Sequence, residues 1–227
     1  MHLTYLGHSC ILLESEGKRV IIDPFLTGNP HCPFKPEELK VDAIFLTHAH
    51  DDHFGDSIEI AKQSDCLIVA VNELAIYCQQ RGVKAHPMNP GGTFETAGFT
   101  VKMTQAFHSS SLNVDGQLLY AGQPVGLLVT AGGKTLYHAG DTCLFSDMKM
   151  IGELHEIDAA ALPIGDNFTM GPKDALIAAE WIGAEHVIPL HYNTFPVIEQ
   201  DAAAFAREVE RKGMKGHAMS IGDELTI

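Results

Sequence analysis

Histidine and aspartate are crowded into one short stretch of this 227-residue chain. Residues 44–56 read IFLTHAHDDHFGD, and six titratable side chains fall within nine positions: His48, His50, Asp51, Asp52, His53 and Asp56. Groups this close repel one another or compete for solvent unless a strong positive charge gathers them. Imidazole nitrogens and carboxylate oxygens are ligands for divalent transition metals. The stretch therefore predicts a metal site.

Three more ligand-type residues follow strand-like runs further along the chain. They are His108 in TQAFHSSS, Asp141 in YHAGDT and His191 in VIPLHYNTF. The His-x-His-x-Asp-His motif at 48–53 itself follows an apolar run, and a loop at the end of a buried strand can aim several side chains at one point. A polar surface loop is the alternative interpretation of residues 48–53, and the three downstream residues argue against it.

These motifs, in this order, resemble those of the metallo-β-lactamase superfamily and extend over essentially the whole chain. The stretches YLGHSC, IIDPFLTGNP, IGDNFTMGP and LHYNTFP are similar to those of small metal-dependent hydrolases related to ascorbate-6-phosphate lactonase. The resemblance implies an α/β fold of the four-layer αββα sandwich type, with two mixed sheets in two pseudo-symmetric halves. We expect residues 1–227 to form a single domain of this kind.

The resemblance also implies a set of metal ligands. It assigns one ion to His48, His50 and His108, a second ion to Asp52, His53 and His191, and a bridging position to Asp141. Zinc suits these ligands best, with manganese or iron as alternatives. A pair of divalent cations supplies metal-bound hydroxide near neutral pH. We therefore expect a metal-dependent hydrolase in which Asp52 and Asp141 are catalytic.

Several residues around this set are candidates for supporting roles. Asp23, which ends VIID and matches an aspartate motif of the superfamily, is expected to brace the histidine loop, with a turn-forming aspartate before Pro24 as the alternative. The candidates for substrate contact are His8, Asp166, Asn167, Thr169 and Asn193. For His8 and the 166–169 loop, local turn chemistry is the competing explanation. We expect Cys143 to be a buried packing residue and not a thiolate nucleophile.

The charge of the chain bears on its partners. Lys and Arg total 15 against 29 Asp and Glu, which gives a net charge of −14 that repels a phosphate backbone. The positive charge of a metal pair can still attract one small anion. We therefore expect a small, anionic ester, lactone or phosphodiester as substrate, and no nucleic acid partner.

Three other functions stay open at this point. An RNA-processing metallo-nuclease of the same superfamily would need a basic surface that this composition does not supply. A redox diiron protein of the superfamily generally carries Glu where this chain has His50. A non-hydrolytic metal-binding protein is the third, because a fold does not dictate a function.

Neither the N-terminal residues nor the cysteines indicate export. The N-terminal residues lack the basic region and apolar core of a signal peptide, and no run approaches the roughly 20 apolar residues of a membrane span. The five cysteines are odd in number and scattered, as is typical of free thiols in a reducing compartment. We expect a cytoplasmic protein that does not bind membranes, and the possibility of a homo-oligomer stays open.

The elements that must position these side chains alternate between strands and helices. The predicted strands are LTYLG, CILLES, RVIID, CLIVAV, FTVKMTQAF, DAAALPIG and HVIPLHY, with a hairpin around residues 131–133. The predicted helices are NELAIYCQQ, which ends at Gly82, PKDALIAAEWIG, which runs from Pro172 to Gly183, and a last helix at about 199–212. Residues 27–39 are expected to form a long surface loop.

Overall fold

The computed structural model describes residues 1–227. The strands are β1 (His2–Gly7), β2 (Cys10–Ser15), β3 (Lys18–Ile22), β4 (Ala43–Phe45), β5 (Leu67–Val71), β6 (Ala85–Met88), β7 (Thr93–Thr96), β8 (Phe99–Gln105), β9 (Ser111–Val114), β10 (Gln117–Tyr120), β11 (Val125–Ala131), β12 (Lys134–His138), β13 (Ala159–Pro163), β14 (His186–Leu190), β15 (Lys215–Gly216) and β16 (Glu224–Thr226). The helices are α1 (Asp51–Phe54), α2 (Ser57–Ser64), α3 (Asn72–Gln80), α4 (Asp147–Leu154), α5 (Pro172–Ile182) and α6 (Ala202–Arg211).

Two seven-stranded mixed sheets contain most of these strands. The first has the order β16-β1-β2-β3-β4-β5-β6, and the second has the order β15-β14-β13-β12-β11-β8-β7. In the first sheet, pairing is antiparallel from β16 to β3 and parallel from β3 to β6. The second sheet likewise joins a parallel part, β15 to β12, to an antiparallel part, β12 to β7. Each sheet therefore combines an antiparallel part with a parallel part, as expected for two pseudo-symmetric halves.

Three layers of buried apolar side chains separate four layers of secondary structure. A cluster of 22 buried residues, which includes Phe45 and Leu136, lies between the two sheets. A second cluster, with Ile44 and Leu74, lies between the first sheet and helices α2 and α3. A third, with Phe205, lies between the second sheet and helices α4 to α6. Neighbouring residues of a strand face opposite sides of its sheet, so Ile44 and Phe45 serve different layers. The predicted αββα sandwich is confirmed.

Local signals explain the predicted helices that the structure confirms. Helix α5 has Pro172 at its first position and ends at Gly183, whose φ of 72° is the left-handed conformation that glycine tolerates. Helix α3 matches NELAIYCQQ. The last helix begins later than predicted, because the Asp201 side chain accepts a hydrogen bond from the Ala204 N–H and so defines the N-terminus of α6.

The remaining segments are short. Residues 27–39 form the predicted loop with one 3-10 turn, Pro36–Glu38. Strands β9 and β10, which were not predicted, pair only with each other as a hairpin outside the two large sheets. None of the helices reaches the length and hydrophobicity that a membrane span needs.

The sheet topology brings the ligand-type residues to one edge. Strands β8 and β12 both pair antiparallel with β11, and β12 pairs parallel with β14 through β13, so β8, β12 and β14 run in one direction. Their ends lead directly to His108, Asp141 and His191. In the first sheet, the parallel strands β3 and β4 end just before Asp23 and His48. In both sheets, therefore, the predicted site residues lie just beyond the ends of strands.

Candidate metal centre

Three histidines form what we call the first cluster: His48, His50 and His108. Their ligand nitrogens all lie within 4.8 Å of one another. Nε2 of His48 is 3.0 Å from Nδ1 of His50, a spacing that suits two neighbouring ligands of one ion. The His48 side chain is fully buried, whereas the other two are partly exposed. The cluster therefore has a closed side within the protein and an open side toward solvent.

The second cluster contains the three ligands predicted for the second ion, Asp52, His53 and His191. Their ligand atoms also lie within 4.8 Å of one another, and His8 joins them within the same limit. Nε2 of His191 is 3.8 Å from Oδ2 of Asp52. The side chain of Asp52 is 27% exposed, while those of His53 and His191 are buried. Asp52 is therefore the member that faces solvent.

The carboxylate of Asp141 lies between the two clusters. Its Oδ2 is 3.5 Å from Nε2 of His108 in the first cluster and 3.1 Å from Nε2 of His191 in the second. Its Oδ1 is 3.2 Å from Nε2 of His53. One buried carboxylate therefore lies close to ligand nitrogens of both clusters.

A one-turn helix arranges the ligands of residues 48–53. His50 is the N-cap residue of α1, and Asp52 and His53 lie within the helix. Gly55 ends the turn with a φ of 41°. A Cβ atom at this position would lie 2.3 Å from the backbone oxygen of Pro24, so only glycine allows the turn to sit against the Asp23–Pro24 segment.

Asp23, which is expected from the sequence to brace the histidine loop, forms hydrogen bonds with Thr47 and His53. Its Oδ1 accepts a 2.8 Å hydrogen bond from the backbone N–H of Thr47, and its Oδ2 accepts bonds from the Thr47 hydroxyl at 2.5 Å and from Nδ1 of His53 at 2.7 Å. The Thr47 oxygen lies 3.0 Å from Nδ1 of His48 and, having donated its own hydrogen, accepts from that nitrogen. Both histidines are thereby left with Nε2 free to bind a metal.

Unpaired buried atoms show that the centre fits a cation. Nε2 of His53 and Oδ1 of Asp141 are both buried and make no hydrogen bond, although they are 3.2 Å apart. A buried polar atom without a partner costs about 1–3 kcal/mol. A divalent ion would satisfy both atoms, and the nitrogen and oxygen donors of the two clusters suit zinc, manganese or iron.

The electrostatics of the two clusters lead to the same conclusion. Burial lowers the pKa of each histidine in the first cluster. Burial acts in the same sense on His191, but Asp141 and Asp52 outweigh it and raise its pKa to about 9. Although burial alone would raise the pKa of Asp141, the nearby His191 and His53 hold it well below its usual range. Without a metal, protonated histidine thus supplies the positive charge that Asp141 requires.

The predicted substrate contacts fall into two places. His8, which is buried, and Asn193, which is exposed, line a cavity of about 190 Å³ beside the second cluster. Oδ1 of Asn193 accepts a 2.7 Å hydrogen bond from the Gln200 N–H, so half of that side chain is used within its own loop. Burial lowers the pKa of His8 to about 4, although its contact with Asp52 acts in the opposite sense.

The 166–169 loop lies beside Asp141 without bonding to either cluster. Met170, which follows the loop, donates its N–H to the backbone oxygen of Thr142. Asp166 and Asn167 are exposed, whereas Thr169 is buried and donates its hydroxyl to the Met170 carbonyl. The hydroxyl of Thr169 is therefore used to stabilise its own loop.

The prediction that Cys143 is buried is wrong, because its side chain is exposed. The neighbouring Thr142 takes the inward position and is fully buried. Its hydroxyl oxygen accepts a 3.0 Å hydrogen bond from the Phe107 N–H, and the Cys143 N–H donates to the Phe107 carbonyl. This pairing fixes the backbone and turns the thiol outward.

Sequence reasoning missed several supporting residues. Thr47, described above, links His48 to Asp23. Gly165 packs against His191, since a Cβ there would lie 2.3 Å from the backbone oxygen of that histidine. Gly140 has a φ of 62°, and a Cβ there would lie 2.8 Å from the Val125 oxygen. The only signal for the two glycines was their place beside ligand-type residues at the ends of strands.

Known proteins share both the sequence and the fold. A family model described as a β-lactamase superfamily domain matches residues 2–191. A metal-dependent hydrolase of Anoxybacillus flavithermus is 53% identical over 228 residues, and the metal-dependent hydrolase YtkL of Bacillus subtilis is 52% identical over 229 residues. Both alignments cover 100% of this chain and 100% of the relative.

A solved structure adds a match in three dimensions. Igni18, a metallo hydrolase from the archaeon Ignicoccus hospitalis, superposes with a TM-score of 0.89 at 36% identity, covering 99% of this chain and 97% of that one. The chain therefore belongs to the metallo-β-lactamase superfamily and is a metal-dependent hydrolase. The resemblance stated from the motifs is thus confirmed at the level of the superfamily.

Proposed function

We propose that this hydrolase works with two metal ions and acts on a small, anionic ester, lactone or phosphodiester. The observation that carries the proposal is the position of Asp141, whose Oδ2 is 3.5 Å from His108 and 3.1 Å from His191. A carboxylate that faces two sets of ligands is suited to holding two ions at once.

The residues divide between the two ions as the clusters do. The first cluster would hold one ion, the second cluster would hold the other, and Asp141 would contact both. Zinc is the first candidate, and manganese or iron are the alternatives. When bound, a pair of divalent ions makes hydroxide available near neutral pH and stabilises negative charge on the reacting oxygens.

Asp52 is the residue that we assign to the attacking water. It is the one carboxylate of the two clusters with substantial exposure, at 27%, whereas Asp141 is 2% exposed. Its carboxylate can therefore accept a hydrogen bond from water on the solvent side, orient that water and take up its proton. Asp141 is too enclosed for this role and serves to join the clusters.

The surroundings of the first cluster support a small substrate. A cavity of about 480 Å³ beside His108 is lined by three serines, Tyr120 and Gln123, together with Pro124. This volume is typical of small-molecule sites. The lining contains no lysine or arginine to hold a nucleic acid backbone, and the chain carries a net charge of −14. Hydroxyl and amide groups would instead form hydrogen bonds with a compact polar molecule.

The five cysteines are all free thiols, which supports the cytoplasmic location expected from their number and spacing. This part of the proposal is independent of the chemistry at the metal centre.

A substrate panel tests the proposed reaction. Zinc-loaded and manganese-loaded enzyme would be assayed on aryl esters, lactones, bis-aryl phosphodiesters, β-lactams and structured RNA. We expect turnover of small esters or phosphodiesters that is lost in His191→Ala and kept in His155→Ala, a matched histidine change at the end of α4. Efficient cleavage of RNA with negligible turnover of small molecules would overturn the proposal.

A further inference from the structure

His8 is held in an unusual conformation between β1 and β2. Its φ is 56°, a left-handed value that costs a non-glycine residue about 1 kcal/mol or more. Its backbone oxygen accepts a 2.9 Å hydrogen bond from the His191 N–H and a 3.2 Å bond from the Tyr5 hydroxyl. The bond from His191 therefore attaches this turn to the end of β14, next to a residue of the second cluster.

The His8 ring is fixed at both nitrogens. Nδ1 lies 2.9 Å from the hydroxyl oxygen of Thr194, and Nε2 lies 3.2 Å from Oδ2 of Asp52. The rings of Phe25 and Phe195 pack edge-on against it, with centroids at 5.6 and 5.7 Å. The side chain is fully buried, and each ring nitrogen has a partner within the protein.

The partners of the two ring nitrogens indicate which of them carries the hydrogen. The hydroxyl of Thr194 can donate to Nδ1 of His8 at 2.9 Å or to the Tyr192 carbonyl at 3.4 Å. Nε2 lies 3.2 Å from Oδ2 of Asp52, and an ionised carboxylate can only accept a hydrogen bond, so we assign the ring hydrogen to Nε2. Nδ1 of the neutral imidazole then carries no hydrogen and accepts the 2.9 Å bond from the Thr194 hydroxyl.

We propose that His8 is a positioning residue, which receives a hydrogen bond from Thr194 and donates one to Asp52. Asp52 lies in a four-residue helix and is partly exposed, and its carboxylate makes its side-chain hydrogen bond with Nε2 of His8. The bond from His8 holds Oδ2 toward the second cluster. The inference rests on the proposed function, because it gives Asp52 a fixed orientation for the reaction. An eighth metal ligand would instead need Nε2 without hydrogen.

The state of the His8 ring can be measured without any assay of activity. Nitrogen-15 spectra of histidine-labelled, zinc-loaded protein distinguish the two tautomers and a zinc-bound nitrogen. The His8 signals would be assigned by their loss in His8→Gln. We expect hydrogen on Nε2 and none on Nδ1. Hydrogen on Nδ1, or a zinc-bound Nε2, would overturn the inference even if every substrate tested proves inactive.

Paired substitutions test the effect on the reaction. His8→Gln keeps an N–H donor at nearly the same reach, whereas His8→Ala removes it. We expect His8→Ala to lower kcat by about 10–100-fold with little change in KM, and His8→Gln to recover most of the loss. Thr194→Val should lower kcat by a smaller factor, and Thr194→Ser should match the wild type.

Metal content separates this role from the alternatives. All four variants should retain the wild-type number of zinc ions at saturating metal. Loss of one ion in His8→Gln would show that His8 is a ligand, and an unchanged kcat in His8→Ala would show that Asp52 needs no positioning. If zinc-loaded wild type hydrolyses nothing on the panel, the proposed function fails, while the tautomer of His8 still decides this inference.

Discussion

Nδ1 of His53 donates a 2.7 Å hydrogen bond to Oδ2 of Asp23, and both side chains are fully buried. This contact fixes the tautomer of His53 and turns its Nε2 toward Asp141. Because the same carboxylate also accepts two bonds from Thr47, one residue outside the clusters orients ligands that belong to both. The precision of the centre therefore depends on Asp23 as much as on the ligands themselves.

Asp23→Asn should weaken metal binding at the second cluster. The amide nitrogen of asparagine would face a hydrogen-bond donor from either Thr47 or His53, so one buried bond is lost. We expect about 10–100-fold weaker affinity for one of the two ions and about 1–3 kcal/mol lower free energy of unfolding. Zinc titration and denaturant unfolding would measure the two effects.

Asp56→Asn is the matched control for this change. Asp56 also accepts two hydrogen bonds, from the backbone N–H groups of Leu26 and Thr27, but it does not contact a ligand-type side chain. The Asp56→Asn variant should have a lower free energy of unfolding, with little change in its affinity for zinc. If the two variants lose zinc affinity equally, Asp23 has no specific role at the centre.

His191→Ala should remove one metal and leave the other. The first cluster and Asp141 remain intact in this variant, whereas the second cluster loses one of its three side chains. We expect close to one zinc ion per chain and a fall in turnover of several orders of magnitude. Loss of both ions in a variant of wild-type stability would mean that the division into two clusters is wrong.

Gly165→Ala should displace His191 without changing a ligand. The added Cβ would lie 2.3 Å from the His191 backbone oxygen and 3.1 Å from its Nδ1. We expect about 1–3 kcal/mol of destabilisation and weaker binding of one ion. Gly133→Ala is the control, because that position has open space and only the strain of a φ of 73°. Equal zinc affinity in the two variants would contradict the role of Gly165.

The stability of metal-free protein should depend on the pH through His191. Its pKa is raised from 6.5 to about 9 on folding. A group whose pKa is raised stabilises the fold fully below the unfolded value and loses that effect as the pH rises through the folded value. The contribution of His191 to the free energy of unfolding should therefore fall between pH 6.5 and 9. The difference between wild type and His191→Gln isolates this contribution.

Zinc should reverse this dependence, because it binds neutral imidazole and displaces the proton of His191. We expect the extra stability given by zinc to increase from pH 6.5 to 9, as measured by denaturant unfolding with and without the metal. A zinc effect that does not change over this range would show that His191 is neutral in the metal-free protein.

Short-range signals made much of the fold predictable. The proline and glycine that bound α5 and the apolar runs that became β4, β13 and β14 are readable from a few residues. Helix α1 was not predicted, because four residues are too few to show a helical period. The hairpin β9–β10 was not predicted for a different reason. Leu118 and Tyr120 are exposed, so β10 does not alternate between buried apolar and exposed polar residues.

The ligands were easier to predict than the residues that orient them. Metal-ligand types stand out at strand ends, and the resemblance of the motifs supplied their grouping. The partners of His8, in contrast, lie 186 residues away at Thr194 and 44 residues away at Asp52. Contacts of that range depend on the packing of two sheets. Cys143 was misjudged because burial in a loop follows from backbone pairing and not from residue type.

Anomalous diffraction from zinc-loaded crystals tests the dinuclear centre most directly. A dinuclear centre of this design predicts two zinc peaks per chain, about 3.5–4 Å apart. One should lie among His48, His50 and His108, the other among Asp52, His53 and His191, and both should contact Asp141. A single peak at saturating zinc, or two peaks that do not share Asp141, would contradict it.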